Sequence, residues 1–163
     1  MNRKAIACLF LVIVLPVLCG AQTQDSKSSA CTFDDGKQIS VRYEPAAVTN
    51  HRLPDDKIWS PGNSPMFLFT SAPLEVGDTQ IPVGAYSMYV IPQKDRWTLV
   101  FNKNVSEESK YDEHQDVVRA VMQVGQLSDA QPFGVFFGHS APKQCNMRIY
   151  EGKTGTWIEF KEQ

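Results

Sequence analysis

The sequence predicts an all-β protein: a single-domain antiparallel β-sandwich, with a small β-barrel as the alternative. Three observations carry that expectation. Apolar residues recur at every second position in short runs, the period of a half-buried strand. Turn-forming clusters separate these runs at short intervals. Helical character is confined to Ser106 to Gln115, a polar stretch with no apolar stripe that allows one turn of helix.

Residues 1–21 read as an export signal. Arg3 and Lys4 supply a positive start, Ala5 to Leu18 an apolar run, and Cys19-Gly20-Ala21 small residues before a cut. The run is short for a membrane-spanning helix, so no span is expected in the mature chain. Cleavage after Ala21 leaves Gln22 as the mature N-terminus. A lipid anchor on Cys19 is the rival reading. It is opposed by Leu18, which is not the small residue a lipobox needs there. Residues 22–35 then read as a flexible tether, polar and serine-rich from Gln22 to Ala30. Residues 36–163 form the domain, and no internal repeat stands out.

Within the domain, Ile39, Val41 and Tyr43 alternate with Ser40, Arg42 and Glu44, a half-buried strand. Met66 to Thr70 is a short apolar run between Pro65 and Pro73. Ala85 to Ile91 is aromatic and apolar and stops at Pro92. Arg96 to Asn102 places Trp97, Leu99 and Phe101 on one face. Val118, Ala120, Met122 and Val124 alternate with Arg119 and Gln123, and Phe133 to Phe137 is apolar again. Asn146 to Tyr150 and Thr156 to Lys161 form a closing hairpin across Gly152-Lys153-Thr154-Gly155. Val76-Gly77-Asp78, Pro92 to Asp95 and Gly125 to Asp129 supply turns. Eight or nine short strands result. Runs that are apolar on both faces belong where a sheet is covered on both sides.

Export gives the cysteines their meaning. Removing the leader takes Cys8 and Cys19 with it and leaves Cys31 and Cys145 as a pair. Two cysteines in an oxidising compartment read as one disulfide. No Cys-x-x-Cys redox motif is present. Charge is uninformative: loss of Arg3 and Lys4 leaves 14 basic against 18 acidic residues, a formal charge of −4. No basic stripe is visible, which argues against nucleic acid or an anionic membrane as partner.

Several segments together resemble a bacterial family, domain of unknown function 2911. They are Trp59-Ser60-Pro61-Gly62-Asn63, Pro82-Val83-Gly84-Ala85-Tyr86-Ser87, Ile91-Pro92, Trp97, Asn102 and Asp116-Val117-Val118-Arg119. The likeness runs from about Gly36 to the C-terminus. It implies an exported bacterial protein with a predominantly β domain, and no reaction. Two features depart from the family's pattern. Ser60 stands where relatives often carry a basic residue, and Glu107 to Lys110 lacks the tryptophan–glycine pair that tends to precede the position of Tyr111.

The candidate ligand-binding residues are Trp59, Asn63, Tyr86, Ser87, Asp116, Arg119 and His139. Trp59 either plugs one end of the sandwich or forms a flat platform for a sugar, with Asn63 as polar selector beside Gly62. Ser87 and Tyr89 share a strand face and Tyr86 takes the other. Ser87 lacks a Gly-x-Ser-x-Gly elbow and a neighbouring histidine, so a structural hydroxyl is the reading and no catalytic residue is assigned. Tyr111, Asp112, Glu113, His114 and Asp116 form the densest polar group, but without the spacing or glycine of a calcium loop. Asp116 and Arg119 face opposite sides of a regular strand, so a direct pair requires a bulge. His51, His114 and His139 lack the paired spacing of a zinc site, and no metal or cofactor is expected. His139, in a loop after an apolar strand, would frame a pocket mouth.

Two functions follow, beside a purely structural reading in which the domain packs on a larger envelope assembly. The first is a non-catalytic exported domain that binds a small molecule, glycan or envelope protein. The second is an exported hydrolase using Asp116 with His114 or His139 and Arg119, which requires those side chains to converge.

Overall fold

The computed structural model of this protein describes residues 26–46, 53–61, 64–106 and 110–163. The leader, His51 and the Gly62-Asn63 turn lie outside the described residues. The nine strands are β1 (Lys27–Thr32), β2 (Gln38–Tyr43), β3 (Met66–Thr70), β4 (Leu74–Val76), β5 (Thr79–Ile81), β6 (Gly84–Pro92), β7 (Trp97–Asn102), β8 (Asp116–Ala141) and β9 (Gln144–Glu162). They form one antiparallel sheet in the order β1-β2-β3-β6-β7-β8-β9-β4-β5. The sheet is not closed, so the barrel alternative is not realised. A 3₁₀ turn, Glu113–Gln115, lies inside the stretch expected to allow a single turn.

One face of this sheet wraps a single core. Ile39, Leu68, Met88, Leu99 and Met122 from one half meet Leu74, Ile81, Met147, Ile149 and Phe160 from the other. Phe101 and Phe160 touch edge-on across the interior, with centroids 6.0 Å apart. The period-two alternation that predicted the strands is therefore the inward face of a curled sheet.

Two strands are far longer than the short runs the sequence suggested. β9 has 19 residues, and an extended strand of that length spans about 60 Å. Its two ends nevertheless meet: the Glu162 amide donates to the Lys143 carbonyl at 2.8 Å, just outside its first residue. The Thr156 hydroxyl likewise reaches the Ile149 carbonyl at 3.5 Å. β9 is thus folded back on itself at Gly152, whose φ of 57° suits a sharp reversal. This is the closing hairpin expected across Gly152 to Gly155. β8 follows the same corner. Its pairing with β9 jumps from Gln126↔Thr154 to Gln131↔Gly152, so four residues of β8 bow around one of β9. The turn expected at Gly125 to Asp129 is this corner.

Two further expectations change. Lys27–Thr32, inside the stretch read as a tether, pairs along its whole length with β2. It is mostly polar and exposed, because its backbone pairs along one edge and little beyond Cys31 faces the core. Cys31 and Cys145 form the expected disulfide and tie β1 to β9. His139 is not in a loop: it sits within β8, opposite Cys145. The chain reverses after Ala141 instead, at Pro142 and Lys143.

Lys37, after the β1–β2 turn, pairs with Asp35 and at 2.8 Å with the buried carboxylate of Glu162. Those two carboxylates, Asp35 foremost, push the lysine up to about 12.

Candidate functional site

Two regions gather functional chemistry. The first is a polar knot where residues 110–115 return to the sheet. Its centre is Asn102, fully buried at the end of β7. The Asn102 amide donates to the Asp112 carbonyl at 2.7 Å and to Asp116 Oδ1 at 2.8 Å, and its oxygen accepts from the Asn104 amide at 3.0 Å. Asp116 Oδ2 accepts from the Tyr111 hydroxyl at 2.6 Å and from Arg119 Nε at 2.9 Å, and Arg119 Nη2 lies 2.7 Å from it. Arg119 Nη2 also donates to the Tyr111 oxygen at 2.8 Å.

The register explains how Asp116 reaches Arg119. Phe101 pairs with Val118, yet Asn102 pairs with Asp116, which leaves Val117 as an extra residue. That bulge turns Asp116 onto the face that Arg119 occupies. The condition set by the alternation is met.

The knot also covers the outer face of the sheet. Tyr111 packs edge-on against Tyr89 with centroids 5.0 Å apart. Phe67, Ser87, Tyr89 and Val100 point away from the core and are buried all the same. This is the double covering expected from runs apolar on both faces.

Burial, then the hydrogen bond to Asp116, pushes Tyr111 up to about 12. The hydrogen bond to Asp116, opposed by desolvation, raises Arg119 further above its ordinary value. Both Tyr111 and Lys37 therefore ionise later in the folded protein than in the unfolded chain. Their contribution is fully present below pH 10 and is lost as pH rises to about 12. Unfolding midpoints followed through that window should fall steeply, and Tyr111→Phe together with Lys37→Met should flatten the fall. A profile unchanged by both substitutions would show that other groups govern the alkaline limit.

The remaining candidates lie apart from the knot or merely beneath it. Trp59 bridges to Val90 through paired backbone hydrogen bonds of 2.8 and 3.1 Å. Its half-buried ring meets Trp97 edge-on at 5.9 Å. Asn63 lies outside the described residues. Tyr86 faces the core, donates to the Pro82 carbonyl at 2.9 Å and is raised by burial. Ser87 is fully buried, and its hydroxyl reaches the Asn102 carbonyl at 3.5 Å. His139 lies at the opposite end of β8 from Asp116, 3.3 Å from Asp34. Asp112 caps the 3₁₀ turn by accepting from the His114 amide. Among the described residues no group of three or more His, Cys, Asp or Glu is disposed to hold a metal ion.

The second region is absent from the sequence-based candidates. The fold-back of β8 and β9 leaves a groove of about 980 Å³ on the outer face of that half of the sheet. Trp157, Tyr150, Arg148, Gln123, Asn146 and Glu159 contribute to its lining. A signal for it was available. In Thr156 to Lys161 the even positions are buried, so Trp157 stands on the polar face with Glu159 and Lys161, 37% exposed. A tryptophan on the solvent side of an alternating strand is out of place for stability alone.

The fold and the knot place the chain in a class: a single antiparallel β domain with a buried polar lock and an open groove. It belongs to the family described as Protein of unknown function (DUF2911), whose model matches residues 25–160. No curated protein and no solved structure matches the chain.

Proposed function

We propose that this protein is an exported, non-catalytic binding domain whose ligand lies in the groove over β8 and β9. Its partner is a small molecule, a glycan or an envelope protein. The leader-like residues 1–21 support export, and the disulfide fits an oxidising compartment. Among the described residues no helix is long and apolar enough to cross a membrane. The observation that carries the binding reading is the groove itself, concave and furnished with aromatic rings and neutral hydrogen-bonding groups. The hydrolase reading has weaker support. Asp116 is engaged by Tyr111, Arg119 and Asn102, and His139 lies at the far end of its strand.

The three tryptophans make the test direct. Trp97 is buried and Trp59 packs on it, whereas Trp157 faces the groove. Sugars, amino acids, nucleotides and short peptides can be screened by thermal shift. Hits should shield tryptophan emission from acrylamide, and Trp157→Phe should remove the shielding. Hits that stabilise without shielding Trp157 would move the site elsewhere. Turnover of a hit that depends on Asp116 would favour the hydrolase.

A further inference from the structure

We propose that the groove, resting on the reading of it as the binding face, accepts a neutral glycan chain. The argument begins with Gly125, Gly134 and Gly155. None of them has a positive φ, unlike Gly36, Gly77, Gly84 and Gly152. Backbone conformation therefore does not demand glycine at these three positions. Space does. A Cβ on Gly134 would lie 2.8 Å from Cε2 of Phe136, and one on Gly125 would lie 3.1 Å from Cζ3 of Trp157. On Gly155 the tight contact would be Cδ2 of Leu127 at 3.1 Å, with Cδ1 of Tyr150 at an ordinary 3.4 Å. Two aromatic rings fill the space over Gly134 and Gly125, and Tyr150 rests in ordinary contact over Gly155, so the rings lie against the sheet instead of standing out from it.

A ring held down in this way offers its face. Sugars present a patch of C–H groups on one side that packs on such a face, while their hydroxyls need partners at the edges. A protein partner is usually anchored by side chains that project into a pocket, which flat rings do not do. Tyr150 lines the groove, and Phe136, outside the lining, sits beside it with centroids 5.3 Å apart and 40° from coplanar. The edges are supplied by Gln123, Gln144 and Asn146. Each carboxamide both donates and accepts, as a hydroxyl does. Charge points to a neutral ligand: Arg148 and Lys161 are offset by Glu75 and Glu159 along the same groove.

The experiment is a fluorescence titration of the purified protein with cellohexaose, xylohexaose and laminarihexaose. Hexagalacturonate and a hexapeptide mixture serve as controls, and sedimentation velocity is run alongside. At least one neutral hexasaccharide should bind and shift Trp157 emission. Trp157→Ala and Tyr150→Ala should each weaken it by about tenfold, the scale of one aromatic stacking contact. Gly134→Ala, which unseats Phe136, should also weaken it with the fold intact by circular dichroism; this variant and Trp157→Phe decide the matter if an alanine variant does not fold. Binding of the acidic sugar or the peptides alone would overturn the ligand class and leave the binding-domain reading standing. No hexasaccharide binding would overturn the glycan proposal. Binding indifferent to Trp157 and Gly134 would remove the groove from both readings. A dimer dissolved by Trp157→Ala would identify a second copy as the occupant and overturn the proposal.

Discussion

Replacing Cys31 and Cys145 together by alanine should lower the unfolding free energy by about 4–5 kcal/mol, the loop-closure value for a bridge of this span. The two residues are 114 apart in sequence, so the link restricts nearly the whole unfolded domain. The native side gives the same direction. β1 is an edge strand whose backbone pairs with β2, and it also lies against β8, where the Phe137 amide donates to the Ser29 hydroxyl at 2.9 Å. Most of its residues are exposed, so burial contributes little to holding it. Against a typical total of about 5–15 kcal/mol, this loss would leave the domain marginal. Guanidinium unfolding of the double variant and the parent, both beginning at Gln22, measures it, with a thiol count under denaturing conditions to verify that this parent holds no free sulfhydryl. A difference below about 1 kcal/mol would mean that the unfolded chain is already compact around that link.

Asn102→Ala should cost about 3 kcal/mol, more than loss of the visible ion pair beside it. The alanine would leave the Asp112 carbonyl, Asp116 Oδ1 and the Asn104 amide short of a partner. A fully buried group so stranded costs about 1–3 kcal/mol, and these three are partly buried, so each falls toward the low end. Arg119 is different. Its side chain is 46% exposed, and exposed ion pairs contribute about 0–1 kcal/mol. Arg119→Met should therefore shift the denaturant midpoint only slightly, at constant slope. The opposite ranking would show that the knot is held from its surface and not from Asn102. The expected ranking assigns the residues differently from their prominence in the sequence. Arg119 stands out there as a charge on an apolar strand, while Asn102 reads only as the polar end of Trp97 to Asn102.

Much of the fold was legible because strand alternation is a local property. The spacing of Ile39, Val41 and Tyr43, or of Trp97, Leu99 and Phe101, states which face turns inward without reference to any partner. The disulfide needed only counting once Cys8 and Cys19 were read as part of a leader. β1 was not legible, since Lys27 to Thr32 has almost no apolar alternation and is held by its neighbour's backbone and by the disulfide. His139 was misplaced because Gly138 and Pro142 suggest a loop, whereas pairing with Cys145 keeps the backbone extended.

The candidate site divides along the same line. The residue types of the polar knot were visible, and so was the need for a bulge between Asp116 and Arg119. That Val117 is the extra residue depends on how β7 and β8 align. The groove was further out of reach. Gly125 and Trp157, or Gly155 and Tyr150, become one surface only after β8 and β9 pair and fold back together at Gly152. Alternation, turns and cysteine count are carried by neighbouring residues, so the chain by itself determined an all-antiparallel domain, its inward faces and its disulfide. Register and the doubling of the long hairpin are collective, fixed by which strands bury one another. They alone decided where the polar knot locks and where the aromatic rings lie down.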